Sequence, residues 1–313
     1  MTEFHADPQN FTEILQKVHE DTSDEPITVC LAPGTYRGQV TITRDHLTLR
    51  GTASELTIFT NSLAANEILD DGLRRGTFRT YSFFVDANDF TAVSLSFVNE
   101  AGPGELADQA LALYSDGDRI TFDRCRFLGH QDTVFTAPLP PSELQSGGFR
   151  GPKEFTPRIS GRQLFNQCYI EGTVDFIFGG AVAVFTDCEI YSKRRLSAGC
   201  GFVTAASTPE AQTYGYVFRS CRFTGDAEVQ SVYLGRPWRD FAHVAILDSY
   251  LGDHIHPDHW DDWNKPQAHA TVKFCEYRNY GPGAVSTLPS FARFLTDDEA
   301  GFYDIKRIWE GKF

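Results

Sequence analysis

Four short segments set polar residues inside strongly apolar surroundings: Asp108-Gln109-Ala110-Leu111-Ala112-Leu113, Gly129-His130-Gln131-Asp132-Thr133-Val134-Phe135, Gly172-Thr173-Val174-Asp175-Phe176-Ile177-Phe178-Gly179 and Tyr233-Leu234-Gly235-Arg236-Pro237-Trp238. Between them they supply two carboxylates (Asp132, Asp175), two neutral amides (Gln109, Gln131) and one guanidinium (Arg236). Carboxylates with pKa values pushed apart by their surroundings are a recurring acid–base device. Neutral amide donors suit a developing oxyanion, and a guanidinium can hold a carboxylate in one orientation. The same types also have structural uses. The glutamines could cap turns, Asp132 could sit in one, and Asp175 with Arg236 could be a plain ion pair.

Two histidine groupings invite other chemistry. His254, His256 and His259 crowd together before Trp260, as metal ligands can, but surface histidines are the expectation. His130 adjoins Gln131, yet no Gly-x-Ser-x-Gly elbow accompanies it, which argues against a Ser-His nucleophile.

A scaffold must bring these distant segments together, and the chain carries a repeat suited to that. Phe122-x-x-Cys125-x-Phe127 recurs as Phe165-x-x-Cys168-x-Ile170, Phe185-x-x-Cys188-x-Ile190 and Phe218-x-x-Cys221-x-Phe223. Looser copies are Val272-x-x-Cys275-x-Tyr277 and Val93-x-x-Ser96-x-Val98, which would put five of the seven cysteines on one register. The units are short, rich in β-branched and aromatic residues, and punctuated by Gly, Asp and Asn, as expected of an all-β solenoid with the cysteines as an interior apolar ladder. No cysteine pair has C-x-x-C spacing, so a zinc ribbon is not expected. The Pro/Gly-rich stretch from Ala137, taken as 137–160, reads as an inserted loop within one domain spanning 1–313. Helical spacing at Phe11, Ile14, Leu15 and Val18 predicts a short N-terminal cap, and Thr296 to Tyr303 a second helix in a tail packed outside.

Composition bounds the partners. With 28 basic and 42 acidic residues the net charge is −14, which argues against nucleic acid. No apolar run approaches the ~18 residues of a membrane span. Met1 to Asn10 lacks Lys, Arg and an apolar core, so no signal peptide is read there and a cytoplasmic location is expected. A capped solenoid can be monomeric, and a monomer is favoured.

At the four segments the sequence resembles the pectin methylesterases (pectinesterases) of carbohydrate esterase family 8. Asp175 to Gly179 matches the family's Asp-Phe-Ile-Phe-Gly motif, and Leu234 to Trp238 its Leu-Gly-Arg-Pro-Trp motif. Gln109 to Leu113 and Gln131 to Phe135 match Gln-Ala-Val-Ala-Leu and Gln-Asp-Thr-Leu-Tyr with one and two changes. The likeness covers about residues 26 to 313, and with no export signal read the chain looks like a bacterial intracellular member. It departs at Gly34-Thr35-Tyr36-Arg37-Gly38, where Gly38 replaces the family's Glu, and at Phe135, which lacks the usual Tyr hydroxyl.

The resemblance implies a right-handed parallel β-helix and hydrolysis of galacturonate methyl esters in pectin or pectic oligosaccharides, with no metal or other cofactor. It implies Asp175 as nucleophile, its pKa depressed and its carboxylate oriented by Arg236. Asp132 is then general acid and later base, and Gln109 and Gln131 form the oxyanion hole. Phe78, Phe135, Phe176, Trp238 and Trp260 are the expected sugar platforms. Repulsion of free galacturonate by this acidic chain predicts a preference for highly methylated chains or short oligomers, except where Arg or Lys helps locally. A silent β-helix binding acidic sugars, a galacturonan glycosidase, and an esterase or thioesterase on another acyl substrate are the alternatives.

Overall fold

The structure, a computed structural model, describes residues 2–310. The strands form three parallel sheets of eleven, eight and seven strands, here called A, B and C. The chain visits them in turn, as in Ile120–Asp123 on A, Arg126–Leu128 on B and Val134–Thr136 on C. Each strand pairs with its counterpart one coil earlier and one coil later, which is a right-handed parallel β-helix. Period-2 alternation turns one face of each strand inward, and the inward side chains of successive coils stack.

The repeat is that stack. Phe122, Phe165, Phe185 and Phe218 form one column on sheet A, with ring centroids 4.9, 4.6 and 4.4 Å apart. The residue after each sheet A strand turns the chain toward B with a positive φ (Arg124 51°, Gln167 52°, Asp187 53°, Ser220 55°). The cysteine comes next. Each Cys thiol then donates to the carbonyl one coil back: Cys168 to Phe122, Cys188 to Phe165 and Cys221 to Phe185, at 3.3–3.4 Å. All the cysteines are free thiols.

The two looser copies are out of register. Ala92, not Val93, pairs with Phe122, so the earlier copy is Ala92-x-x-Leu95-x-Phe97. Cys275 pairs with Ala245 inside sheet A and faces outward under the C-terminal tail, while Glu276 takes the inward Phe position. Four cysteines, not five, therefore form the ladder.

Helix Phe11–Glu20 buries Phe11 and Val18 over the open end of the coil, with Phe11 edge-on to Tyr36 and Phe59. Strand Thr2–Ala6, which periodicity did not reveal, adds to Ile27–Leu31. At the other end Thr296 and Glu299 close a capping box on helix Asp297–Ala300. The tail lays Leu295, Ala300, Tyr303 and Ile308 over the outer side chains of sheet A. Between Thr136 and Arg162 the chain has neither helix nor strand, and it folds back over the outer face of sheet C. At the family's missing glutamate, Gly38 has φ 108°, a left-handed backbone that glycine adopts without strain.

Candidate active site

The outer face of sheet C positions the chemistry. One cross-strand row runs Phe84, Tyr114, Phe135, Phe178, Ala205, Arg236 over six successive coils. Asp132 and Asp175 each stand two residues before the sheet C strand of their coil, and those strands are neighbours: Val134 pairs with Ile177. Both adopt a positive φ (61° and 49°), which Asp tolerates better than most residues, and the Asp132 N–H donates to the Val174 carbonyl at 3.0 Å. The turn thus repeats, and the two carboxylates stand on adjacent coils, about 4.8 Å apart along the axis.

Arg236 grips Asp175 with both arms, Nε to Oδ1 at 2.8 Å and Nη2 to Oδ2 at 2.7 Å. Its guanidinium lies between two rings, 3.8 Å from the centroid of Phe202 and 3.7 Å from that of Trp263. Stacked and bidentate, it has little freedom to leave. Burial raises the Asp175 carboxyl above the ordinary carboxylate range, and Arg236 pulls it back only in part. The expected net depression is therefore corrected: desolvation outweighs the pairing. Asp132 is raised much further, by burial first and then by the negative charge of Asp175, with only a longer-range offset from Arg236. The order of the two carboxylates remains the one acid–base work requires.

Gln109 and Gln131 sit on the coils leading to Asp132, where the Ala110 N–H donates to the Gln131 carbonyl at 3.1 Å. Among the described residues nothing hydrogen-bonds either side-chain amide, so their donors are free. Gly104 packs against Gln131 so closely that a Cβ there would lie 2.8 Å from the Gln131 Cβ.

The aromatic expectations divide. Trp238 lies half-buried at the edge of the outer cluster, against Phe178 and Phe149. Phe78 and Phe135 are in the same cluster, 4.9 Å apart, but covered; they make its floor and offer no open face. Phe176 is corrected outright: it points into the solenoid core. So is Trp260, stacked 4.4 Å from Phe274 inside the core, its indole N–H donating to Glu276 at 2.9 Å. The tryptophan at the site is Trp263, three residues on. Its polar neighbours Asp261, Asp262, Asn264 and Lys265 were the available signal. Phe202 and Lys265 were also missed. The Lys265 ammonium donates to the carbonyls of Pro237 and Trp238 at 2.7 and 3.1 Å, beside the Arg236 strand.

Two of the three histidines are not the surface groups expected, while His256 is partly exposed. His254 and His259 are buried, and His259 is held between Glu276 and the Gly283 carbonyl, each at 2.8 Å. Their donors do not converge. Among the described residues, Glu3, His5 and Cys30 do bring three potential metal-ligand atoms within 4.8 Å, at the N-terminal edge of sheet A. His130 contacts the Lys193 ammonium at 3.1 Å, and burial followed by that charge lowers it to about 4.

The sequence profile of the pectinesterase family matches residues 5–139 and 155–307, leaving 140–154 inside the inserted loop unmatched. The chain is 35% identical to pectinesterase 31 of Arabidopsis thaliana over 282 residues, 87% of this chain and 80% of that one. It superposes on the pectin methylesterase from carrot with a TM-score of 0.80 at 26% identity, covering 100% and 98% of the two chains. A pectin methylesterase in complex with a hexasaccharide superposes with a TM-score of 0.78 at 27% identity, over 97% and 93%. With profile, sequence and fold in agreement, the chain belongs to the pectinesterase family.

Proposed function

We propose that this chain hydrolyses methyl esters of galacturonate units in pectin or pectic oligosaccharides, with Asp175 as nucleophile and Asp132 as acid and then base. One observation carries the reading. Two buried carboxylates stand on adjacent coils, and only one of them is paired with a guanidinium. Arg236 aims Asp175 and opposes the rise that burial imposes on it, while burial and the nearby Asp175 charge favour the protonated form of Asp132.

An Asp175 oxygen attacks the ester carbon, and the carbonyl oxygen takes the electron pair. The free amides of Gln109 and Gln131 stabilise it, each such donor being worth roughly 3 kcal/mol in other hydrolases. Collapse breaks the bond to the methoxy group, which leaves as methanol with the proton of Asp132. The resulting anhydride is opened by water, whose proton returns to Asp132 while Asp175 is released. Ester and water give acid and methanol, and no redox partner is needed.

The test is methanol release from highly methylated oligogalacturonates by the wild type and by a folded Asp175→Asn variant. Release lost in the variant, with no new reducing ends from the wild type, supports the reading. Equal release from both removes Asp175 from its role, and new reducing ends would indicate cleavage of the glycosidic backbone.

A further inference from the structure

An open cleft of about 570 Å³ lies beyond the aromatic floor, toward the N-terminal coils. Arg75, Arg79 and Tyr81 line it from one side and Arg150 from the inserted loop, with Asp71 and Glu154 at its margins. Three guanidiniums in one cleft are notable in a chain of net charge −14. Arg75 is engaged by Glu67 at 2.7 Å. Arg79 donates to the carbonyls of Arg75 and Arg74 at 2.5 and 2.7 Å, which fixes its position without neutralising it. Among the described residues no carboxylate pairs with Arg79 or Arg150.

The cleft shares the sheet that carries the carboxylates. Tyr81 stands two residues before the strand that opens at Phe83, which pairs with Leu113, then Val134, then Ile177. The cleft is therefore two coils from Asp132 and three from Asp175, about 10 and 14 Å along the axis. A linear oligosaccharide with an ester at Asp175 that runs along the axis, over the loop covering the sheet C row, would bring a later unit toward these arginines. Arg150 is set by its neighbour: Gly151 lies so close to Phe78 that a Cβ there would meet the Phe78 carbonyl oxygen at 2.9 Å. Arg150 and Gly151 both belong to the stretch outside the family profile.

We propose that this cleft binds the free carboxylate of a galacturonate unit several positions from the ester being cut, and so selects partly de-esterified chains. The inference rests on the esterase reading and deepens it. A guanidinium distinguishes a carboxylate from its neutral methyl ester by charge and by two-armed hydrogen bonding. The general repulsion between this acidic protein and free galacturonate is reversed at this one place.

The experiment compares the wild type with an Arg79→Gln/Arg150→Gln double variant on oligogalacturonates of equal length. One substrate is fully methylated; two others carry free carboxylates confined to one end or the other. The expected result is a KM raised about tenfold for one of the end-free substrates, with KM for the fully methylated one and all kcat values unchanged. The KM difference should shrink as salt is added. KM rising equally on all three substrates, or on none, overturns the proposal. Calorimetric binding of fully de-esterified oligogalacturonate to the Asp175→Asn protein, with and without the arginine changes, needs no turnover. If that binding depends on the arginines while the wild type releases no methanol, the esterase reading falls and the cleft stands. If methanol is released and neither binding nor KM depends on the arginines, the cleft falls and the esterase stands.

Discussion

Two carboxylate–cation pairs occupy this solenoid, and they do different things. Asp175 with Arg236 lies on the outer face of sheet C, its side chains 10% and 16% exposed. Glu276 with His259 lies inside the last coils, 1% and 0% exposed. Glu276 is saturated: Oε1 accepts from His259 and Trp260, and Oε2 from Asn279 at 3.1 Å. His259 spends its other nitrogen on the Gly283 carbonyl. Nothing remains for a ligand. At Asp175 both hydrogen bonds to the carboxylate come from one arginine, a second carboxylate stands one coil away, and among the described residues two glutamine amides have no partner. Pairing alone does not mark a reactive site; unspent hydrogen-bonding capacity at an accessible edge does.

Five variants sharpen or break this contrast. Arg236→Gln has the largest expected effect, a loss of about 10³-fold in kcat, because the nucleophile loses both its orientation and its counter-charge. Arg236 lowers the Asp175 pKa, so its removal raises that value and should move the acid limb of the pH–rate profile to higher pH. An acid limb that stays in place would refute the assignment. Arg236→Lys keeps the charge without the two-armed grip and should recover only part of the rate.

Glu276→Ala should do the reverse, costing about 3–5 kcal/mol in denaturant unfolding while leaving kcat per folded molecule unchanged. Its partner adds a pH signature. The Glu276 contacts outweigh burial and raise His259 above its ordinary value. That contribution is fully present below the unfolded-state pKa of about 6.5 and is lost as pH rises through the folded value. A wild-type stability curve with no decline above that pH would contradict it.

Gly104→Ala should press on Gln131 and lower kcat about tenfold with little change in KM. An unchanged kcat would show that Gln131 stabilises nothing in the reaction. The smallest effect is on stability, in Asp132→Asn. A carboxyl whose folded pKa is raised stabilises the fold at low pH and loses that contribution as pH rises from the unfolded value, near 3.8, through the folded one. The variant lacks this loss, so its melting temperature should exceed that of the wild type by a margin that widens between pH 4.5 and 8. A constant margin would place the Asp132 pKa near normal.

The scaffold and the reactive residues were legible for different reasons. Stacking repeats one register, so Phe122, Phe165, Phe185 and Phe218 announced the solenoid from spacing alone. The looser copies failed because neighbouring residues alternate faces: Cys275 and Glu276 differ by one position and lie on opposite sides of the sheet. Asp132, Asp175 and Arg236 stood out as charges in apolar runs, and the structure brings Arg236 onto Asp175 and raises Asp132 by burial and then by the charge of Asp175. The aromatic choices were poorer because an aromatic side chain serves a core as readily as a sugar. Trp260 and Trp263 are separated by two residues, and the buried carboxylate that draws Trp260 inward, Glu276, is far along the chain. Arg150 could not have been paired with Arg79 from sequence, since the inserted loop has no periodicity to place it.

The thiol ladder has a practical consequence. Cys125, Cys168, Cys188 and Cys221 are the same group at the same height of the wall, distinguished only by the coil they occupy. Burial holds the Cys125 thiol at about 12, and the other three are raised as well, so a thiolate-seeking reagent that can meet the half-buried Cys30 and Cys200 cannot attack these four while the wall is closed. Each becomes reactive only when its own stretch of spool loosens. Which of the four is alkylated first, read by peptide mass, would therefore report where the winding begins to come undone.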